Sequence, residues 1–563
     1  MQRHGIRQGL SDIGDVFSSS SYLFLASFPL DLFSQTQAAK MKKYLGLRGS
    51  RITTAALALI VGPSYTAFGY NQGVAGNVLT LPTFVETFPG INTLTTTGAQ
   101  QSHNSTIQGV VTALFVLGAT FGALTCIKVG DMLGRRKTIF YSTIVATIGA
   151  ILMASSFSLA QLIVSRLILG LGSGGYTASV PVWQSEISGA QHRGAFVNVE
   201  GIFLGAGITI SLLIDFGFFF VKDSSVSWRF PFAIQIVFFL MVIAFIFFLP
   251  ESPRWLVKKG RIDEARETMA VLQDVAVDDE SITRDIAMMQ HSLELAARAG
   301  NPGPQNLLKM GDQRIFNRAL VAILGQAFQQ LCGVSLTVAY ATTIYEEHLG
   351  FGAVKARGLA IAMESLLIFG GLATVLTVDR FGRRPLMLLS SATMAICFSV
   401  VAGTTSAPQN KGSLYAATFF LFLYTPFFAL GFLSNTNLYA TEVAPLEYRA
   451  AIAGVSTATS WLSNFLVVLV TPIGFANIGY RYWIVYACIN AAIVPTVYFL
   501  FPETCDLSLE QMDDVFGRSN NFFDPPKIAR KERRQLKKGE SVLEEGLDNG
   551  RDSESKADVS FKE

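Results

Sequence analysis

Residues 325–345 read GQAFQQLCGVSLTVAYATTIY, three glutamines inside an apolar run. Gln326, Gln330, Gly333, Thr337 and Tyr340 advance by three or four residues, so one continuous helix places them on one face, and Gln329 widens that stripe. Side-chain amides donate and accept, which suits a neutral, hydroxyl-rich ligand. The plainer reading is hydrogen bonding between helices. A second polar point is Asn71, in FGYNQGV, residues 68–74. A buried amide without partners costs about 1–3 kcal/mol, so Asn71 needs a protein partner, water or a ligand. It can bind but cannot carry a proton. Glu200, in VNVEGIF, can carry one, or it can pair with Arg166 or another base. Asp215 and Glu364 are weaker carriers.

Nothing points to catalysis: no nucleophile–base constellation, metal-ligand spacing or phosphate loop stands out. No cofactor, metal or nucleic-acid partner is expected. Gly170, Gly172 and Gly174 read as close helix packing. The five cysteines show no CxxC or Cys/His spacing and read as buried thiols.

The 563 residues are 50% hydrophobic and 15% charged, with mean hydropathy +0.40 and net charge +3. Soluble domains carry roughly 25% charge. The apolar residues come in blocks near the 20 or so that a bilayer requires. Twelve helical spans are expected, at 52–75, 106–127, 138–157, 160–182, 195–221, 231–250, 318–342, 356–378, 385–405, 413–440, 450–473 and 481–501. The fold class is an all-α polytopic membrane protein. Its expected division is a tail at 1–51, a six-helix bundle at 52–250, linker helices at 251–317, a second bundle at 318–502 and a tail at 503–563.

Basic residues set the expected orientation. They precede the first span (Lys40 to Arg51), follow the second, fourth and eighth, and fill the linker, whereas residues 76–105 hold none. The bias puts both termini and the linker in the cytoplasm. Asn104 opens an Asn-Ser-Thr glycosylation sequon on the other side. Ser21–Phe33 is too short and broken for a signal peptide. Residues 1–40 read as a disordered extension or an unused upstream start. The charged tail beyond Phe523 reads as disordered.

The halves echo each other. DMLGRR at Asp131–Arg136 recurs as DRFGRR at Asp379–Arg384, Glu186 to Arg193 as Glu442 to Arg449, and LPES at Leu249–Ser252 as FPET at Phe501–Thr504. Six spans duplicated in parallel fit a transporter with its site between the halves.

Those motifs, with SRLILGLGSG (165–174), PVWQSEISGAQHRG (181–194), PESPRWL (250–256), TEVAPLEYRA (441–450) and PETCDLSLEQMD (502–513), resemble the signature set of the sugar porter family of the major facilitator superfamily, most of all filamentous fungal sugar transporters. The resemblance spans about 50–516. It implies a bilobed fold, alternating access and a small-molecule sugar as partner. It also implies a gate of charged residues, most of them at helix ends: Asp131, Arg135, Arg136, Arg166, Glu186, Arg193, Glu251, Arg254, Asp379, Arg380, Arg383, Arg384, Glu442 and Arg449. Arg166 lies inside the fourth span, so it needs an acidic or carbonyl partner. Opposite signs in the two halves can pair across the cytoplasmic seam. Met132 and Gly189 depart mildly from the pattern.

By the same resemblance Gln329 and Gln330 match paired sugar-binding glutamines, and Trp461 and Asn464 keep the family's residues. Departures are Gly201, Ser335, Ala339 and Leu367, and Asn437 stands where the family has tryptophan, with Asn435 nearby. They leave a disaccharide, polyol, sugar acid or related ring open beside a monosaccharide. Asn71 stands where many proton-coupled members have aspartate, which favours facilitated diffusion, while Glu200 keeps proton symport open. The expected protein is a monomeric plasma-membrane carrier, with a non-transporting sugar sensor as the rival class.

Overall fold

The computed structural model describes residues 44–535 except 94, 189–192, 299–306, 308–309, 312, 407–410 and 446. The expected extension 1–40 and the distal tail 536–563 lie outside the described residues. Twelve long helices match the twelve expected spans: α1 Ser50–Val78, α2 Gly98–Leu133, α3 Arg135–Ala154, α4 Leu159–Ile187, α5 Arg193–Phe219, α6 Val226–Phe248, α7 Ile315–Ala339, α8 Ala353–Phe381, α9 Arg383–Thr405, α10 Lys411–Val443, α11 Arg449–Ile478 and α12 Arg481–Leu500. Lipid offers the backbone no partner, so each span bonds to itself. Eleven are long and apolar enough to cross a membrane by composition alone. The other is α4, whose hydropathy is lowered by Arg166 and its run of Gly and Ser. Its 29 residues still extend about 43 Å.

The duplication is visible in the packing. α1 packs on α5 as α7 does on α11; α3 packs on α4 and α6 as α9 does on α10 and α12. Between the halves α2 lies along α11 and α8 along α5, and the repeat exchanges one contact for the other. The expected glycine packing is present: a Cβ on Gly170 or Gly174 meets the α2 backbone, and one on Gly172 meets α3. Phe121, Phe369, Phe419 and Leu462 project outward, as a lipid-facing surface requires.

Three linker helices, Pro253–Lys258, Ile262–Gln273 and Glu280–Arg298, dock by a small core that includes Trp255, Met269 and Ile286. Arg48 ties the chain before α1 to them, donating to Ala270 O and Val275 O and pairing with Asp274 at 3.1 Å. The membrane surface carrying the linker is called the linker face below, and the opposite surface the far face.

Three sequence expectations change here. α7 is not one continuous helix. It breaks at Gly333, whose φ of +108° is left-handed, and again near Tyr340. The carbonyl freed at Cys332 accepts from Asn490 Nδ2 at 3.0 Å and from the Tyr424 hydroxyl at 3.4 Å. Asn104 is not an exposed glycan acceptor. It is 1% exposed inside α2, and its amide donates to Asn92 O at 2.7 Å. The tail is not wholly irregular, because 525–535 is helical. Pro525 and Pro526 suit a first helical turn, and Ala529 is fully buried.

The turns into α3 and α9 share one device. Gly134 and Gly382 have φ of +90° and +96° with ψ near 165°, a region only glycine adopts readily. The carboxylate of Glu251 accepts from the backbone N–H groups of Arg135 (3.1 Å) and Arg136 (3.2 Å). Glu503 accepts from those of Arg383 (3.0 Å) and Arg384 (3.2 Å). Each acid caps a helix N-terminus, where the dipole favours negative charge. A Cβ on either glycine sits within 2.8 Å of a capping carboxylate oxygen. Gly134→Ala and Gly382→Ala should each destabilise the protein by about 1–3 kcal/mol. Thermal unfolding in detergent reads this out, and a parental Tm in both variants rules the shared cap out.

Candidate substrate-binding and gating site

The charged motifs gather at linker-face helix ends in two equivalent sets. Arg135 grips Glu186 through Nε (3.0 Å) and Nη2 (3.2 Å), and Arg383 Nη2 bonds Glu442 at 2.9 Å. Asp131 and Asp379 each pair with the arginine four residues on, at 3.4 and 2.9 Å. Arg136 donates to Phe247 O and Arg384 to Tyr498 O. One turn before each acid, Trp183 donates to Pro250 O and Tyr439 to Pro502 O. Glu503, Lys258 (2.8 Å from Asp131) and Trp255 (Nε1 to Asp131 O, 3.1 Å) join the network. None was picked out from sequence, although the 252-residue offset from Glu251 marks Glu503.

Four gate expectations are corrected. Among the described residues, every ion pair at this face lies within one half, and none crosses the seam. The contacts that join the halves through polar side chains lie at the far face, so each acid turns to its own half's arginine. Arg166 does not belong to this face. It lies 20 residues before Glu186 on α4, about 30 Å away, and donates to Val111 O and Thr112 O (both 3.3 Å) with its guanidinium over Phe115. The expected carbonyl partner is met there. Among the described residues Arg254 is exposed without an ion pair, and Arg380 has none either, its guanidinium lying over the Phe381 ring. The Arg193 side chain lies outside the described residues. Arg449 donates to Ala444 O at 3.5 Å.

The amides of α7 converge on α10 and α11. Gln326 donates to Asn437 Oδ1 at 2.5 Å. Gln329 Nε2 bonds Phe432 O (3.0 Å) and Leu433 O (2.7 Å), in a π-helical turn of α10. Gln330 donates to Ser460 Oγ at 3.2 Å and accepts from Ser335 Oγ at 2.8 Å. Ser460 also donates to Gln329 Oε1 at 3.3 Å. Gln330 is half-buried and Asn437 exposed, so the cluster has an open side. Phe68 of α1 meets Trp461 of α11 edge-on at 5.7 Å across the seam. Asn71 and Asn464 each follow one turn later on parallel helices, so both reach the same seam. Asn71 and Asn464 are buried, and neither Oδ1 has a partner. Tyr340 stands apart, donating to Val468 O at 2.9 Å and lining a far-face cavity.

Glu200 lies beside the Tyr65 hydroxyl of α1. It sits seven residues, about two turns, into α5 from the linker face, far from Arg166, so the ion-pair reading with that arginine is corrected. A Cβ on its neighbour Gly201 would lie 3.0 Å from Ser434 Oγ of α10 across the seam. Asp215 accepts from Asn77 Nδ2 at 3.2 Å, and Glu364 is fully buried with neither oxygen partnered.

The far face is latched across the halves. Thr342 donates to Asn77 Oδ1, and Arg357 donates to Thr80 Oγ1 at 2.7 Å while pairing with Glu346 at 3.0 Å. Thr93 donates to Glu347 at 3.3 Å. Burial, helped by the nearby Glu346 charge, pushes Glu347 up to about 7, against the Thr93 bond, and burial pushes His348 down to about 4. Opening this face returns both to water, near 4.3 and 6.5. Between 7 and 4.3 the closed latch holds more protons at Glu347, so acid favours closure; between 6.5 and 4 it holds fewer at His348, which opposes it. Closure should strengthen from pH 8 to 6.5 and then level off. Far-face thiol labelling of Thr343→Cys measures it: His348→Gln should keep closing in acid, and Glu347→Gln should lose the first phase. Identical pH profiles in all three contradict the assignment.

The comparisons follow this geometry. The profile of the Sugar (and other) transporter family matches residues 55–516. The chain is 36% identical over 514 residues to the MFS-type transporter oryC of Aspergillus oryzae, covering 89% of this chain and 93% of that one. It is 32% identical over 459 residues to the sugar transporter STL1 of Saccharomyces cerevisiae, covering 81% and 80%. The inward-open xylose transporter XylE from E. coli shares the fold, with TM-score 0.67 and 20% identity over 82% of this chain and 99% of that one. With the duplicated bundles and their paired caps, these matches make the chain a member of the Sugar (and other) transporter family, a multi-pass membrane transporter rather than an enzyme.

Proposed function

We propose that the protein moves a monosaccharide or related hydroxylated molecule across the plasma membrane by alternating access and facilitated diffusion, working as a monomer. The linker face and both termini are cytoplasmic in this reading, and the functional division follows 52–250, 251–317 and 318–502. The carrying observation is the amide cluster of Gln326, Gln329 and Gln330, open on one side, together with the unpartnered Asn71 and Asn464 carbonyl oxygens at the α1–α11 seam. A ligand hydroxyl donates to such an oxygen and accepts from an amide N–H, and an unmet buried acceptor costs about 1–3 kcal/mol. Asn71, an amide at the seam, supports uniport. The linker-face acids and bases brace the gate in this reading, holding the helix ends of each half together by pairs within that half.

Proton symport is the second reading, favoured by Glu200 beside Tyr65 and next to the α5–α10 crossing. Uptake of labelled hexoses, pentoses, disaccharides and polyols into proteoliposomes, with and without an inward proton gradient, separates the two. Uniport gives equilibration that ignores the gradient and survives Glu200→Gln. Gradient-driven accumulation lost in Glu200→Gln replaces it with symport. Gln330→Ala should lower uptake at limiting sugar about five- to tenfold, the worth of one hydrogen bond. Binding without uptake points to the sensor class.

A further inference from the structure

Helix 525–535 follows the last span and has two unlike faces. Its inner face holds the buried Pro525, Pro526 and Ala529 and two ion pairs, Glu532 with Arg518 at 2.8 Å and Arg533 with Asp506 at 2.9 Å. Its outer face holds Lys527, Arg530, Lys531 and Arg534, all exposed. Their spacing of three, one and three residues makes one continuous stripe. Like charges at that spacing repel within a helix, and the acids at hand are engaged: Glu532 and Asp506 in those pairs, and Asp524 by the Asn520 and Asn521 N–H groups.

The helix lies at the membrane rim. Arg530 is close enough to Arg384 to act on it as a like charge, and the Arg384 guanidinium sits 5.1 Å over the ring of Tyr498 in α12. Phe523, just before the helix, meets Phe499 of α12 edge-on at 6.3 Å. Tyr498, Phe499 and Phe523 are all more than half exposed, which marks them as the aromatic border between lipid and water. A fifth cation, Arg384, thus lies beside the stripe at this border.

We propose that helix 525–535 docks on the linker-face leaflet, with Lys527, Arg530, Lys531 and Arg534 held by anionic phospholipid headgroups. The leaflet supplies a counter-charge that this face does not find among the described residues. Phe523 and Phe499 anchor the segment at the lipid border, so helix 525–535 lies along the membrane. The stripe makes no contact with the amide cluster, so docking is independent of which molecule is carried.

The test uses the full chain reconstituted in phosphatidylcholine vesicles, with or without phosphatidylserine in both leaflets. Hydrogen–deuterium exchange across 523–535 is the readout. Each Lys or Arg near an anionic surface is worth about fivefold in association. Exchange should therefore slow at least tenfold with phosphatidylserine, and high salt should reverse the effect. The combined Lys527→Gln, Arg530→Gln, Lys531→Gln and Arg534→Gln variant should exchange equally on both membranes. Lys527→Arg with Lys531→Arg keeps the charge and should keep the protection. Equal exchange of the parent on both membranes overturns the proposal. So does equal protection by soluble inositol hexakisphosphate on phosphatidylcholine alone, which makes a free polyphosphate the ligand.

Discussion

A polar atom inside the hydrocarbon layer has no water to turn to, and that constraint organises this molecule. At several places where the backbone breaks, turns or meets a buried charge, a side chain supplies the missing partner. Asn490 and Tyr424 take the Cys332 carbonyl at the break in α7. Arg166 takes two carbonyls of α2 rather than a carboxylate. Glu251 and Glu503 take the first N–H groups of α3 and α9. These caps fasten α6 to α3 and α12 to α9, so each half becomes one rigid unit with its charged motifs locked inside it. At the seam, Asn71 and Asn464 are each left with a carbonyl oxygen that has no partner.

Sequence showed the architecture well because it rests on two periodic signals. Apolar blocks of bilayer length located all twelve spans, and the offsets of 248 to 256 residues located the repeat. The pairing of charges was less legible. Motif spacing gives signs and positions along a helix but not which helix faces which, so Glu186 and Glu442 were equally compatible with partners across the seam or within a half. Arg166 could have been placed from sequence, since 20 residues from Glu186 already put it near the other membrane face. The stripe on α7 failed at Gly333, because counting three and four assumes an unbroken helix. The Asn104 sequon says nothing about the α2 packing that buries it. Composition made 525–535 look irregular; its order comes from Ala529 and two ion pairs with residues up to 27 positions away.

Rigid halves change how the proposed transport cycle is driven. Ion pairs such as Arg135–Glu186 and Arg383–Glu442 survive the motion of either half, so they do not set its free energy by themselves. The balance lies in the contacts that cross, among them Asn77 with Thr342, Thr80 with Arg357, Thr93 with Glu347, and the packing of Gly76 on Ala339 and Gly109 on Leu469. Each hydrogen bond there is worth roughly 1 kcal/mol net, small enough to be remade on the other side in each cycle. The amide cluster is placed to couple with that balance. Gln329 and Gln330 hang from the helix that breaks at Gly333, and Ala339 and Thr342 follow on the same chain at the far latch. A ligand that pulls on the glutamines therefore acts on the segment that closes the opposite face, with Gly333 as the joint between them.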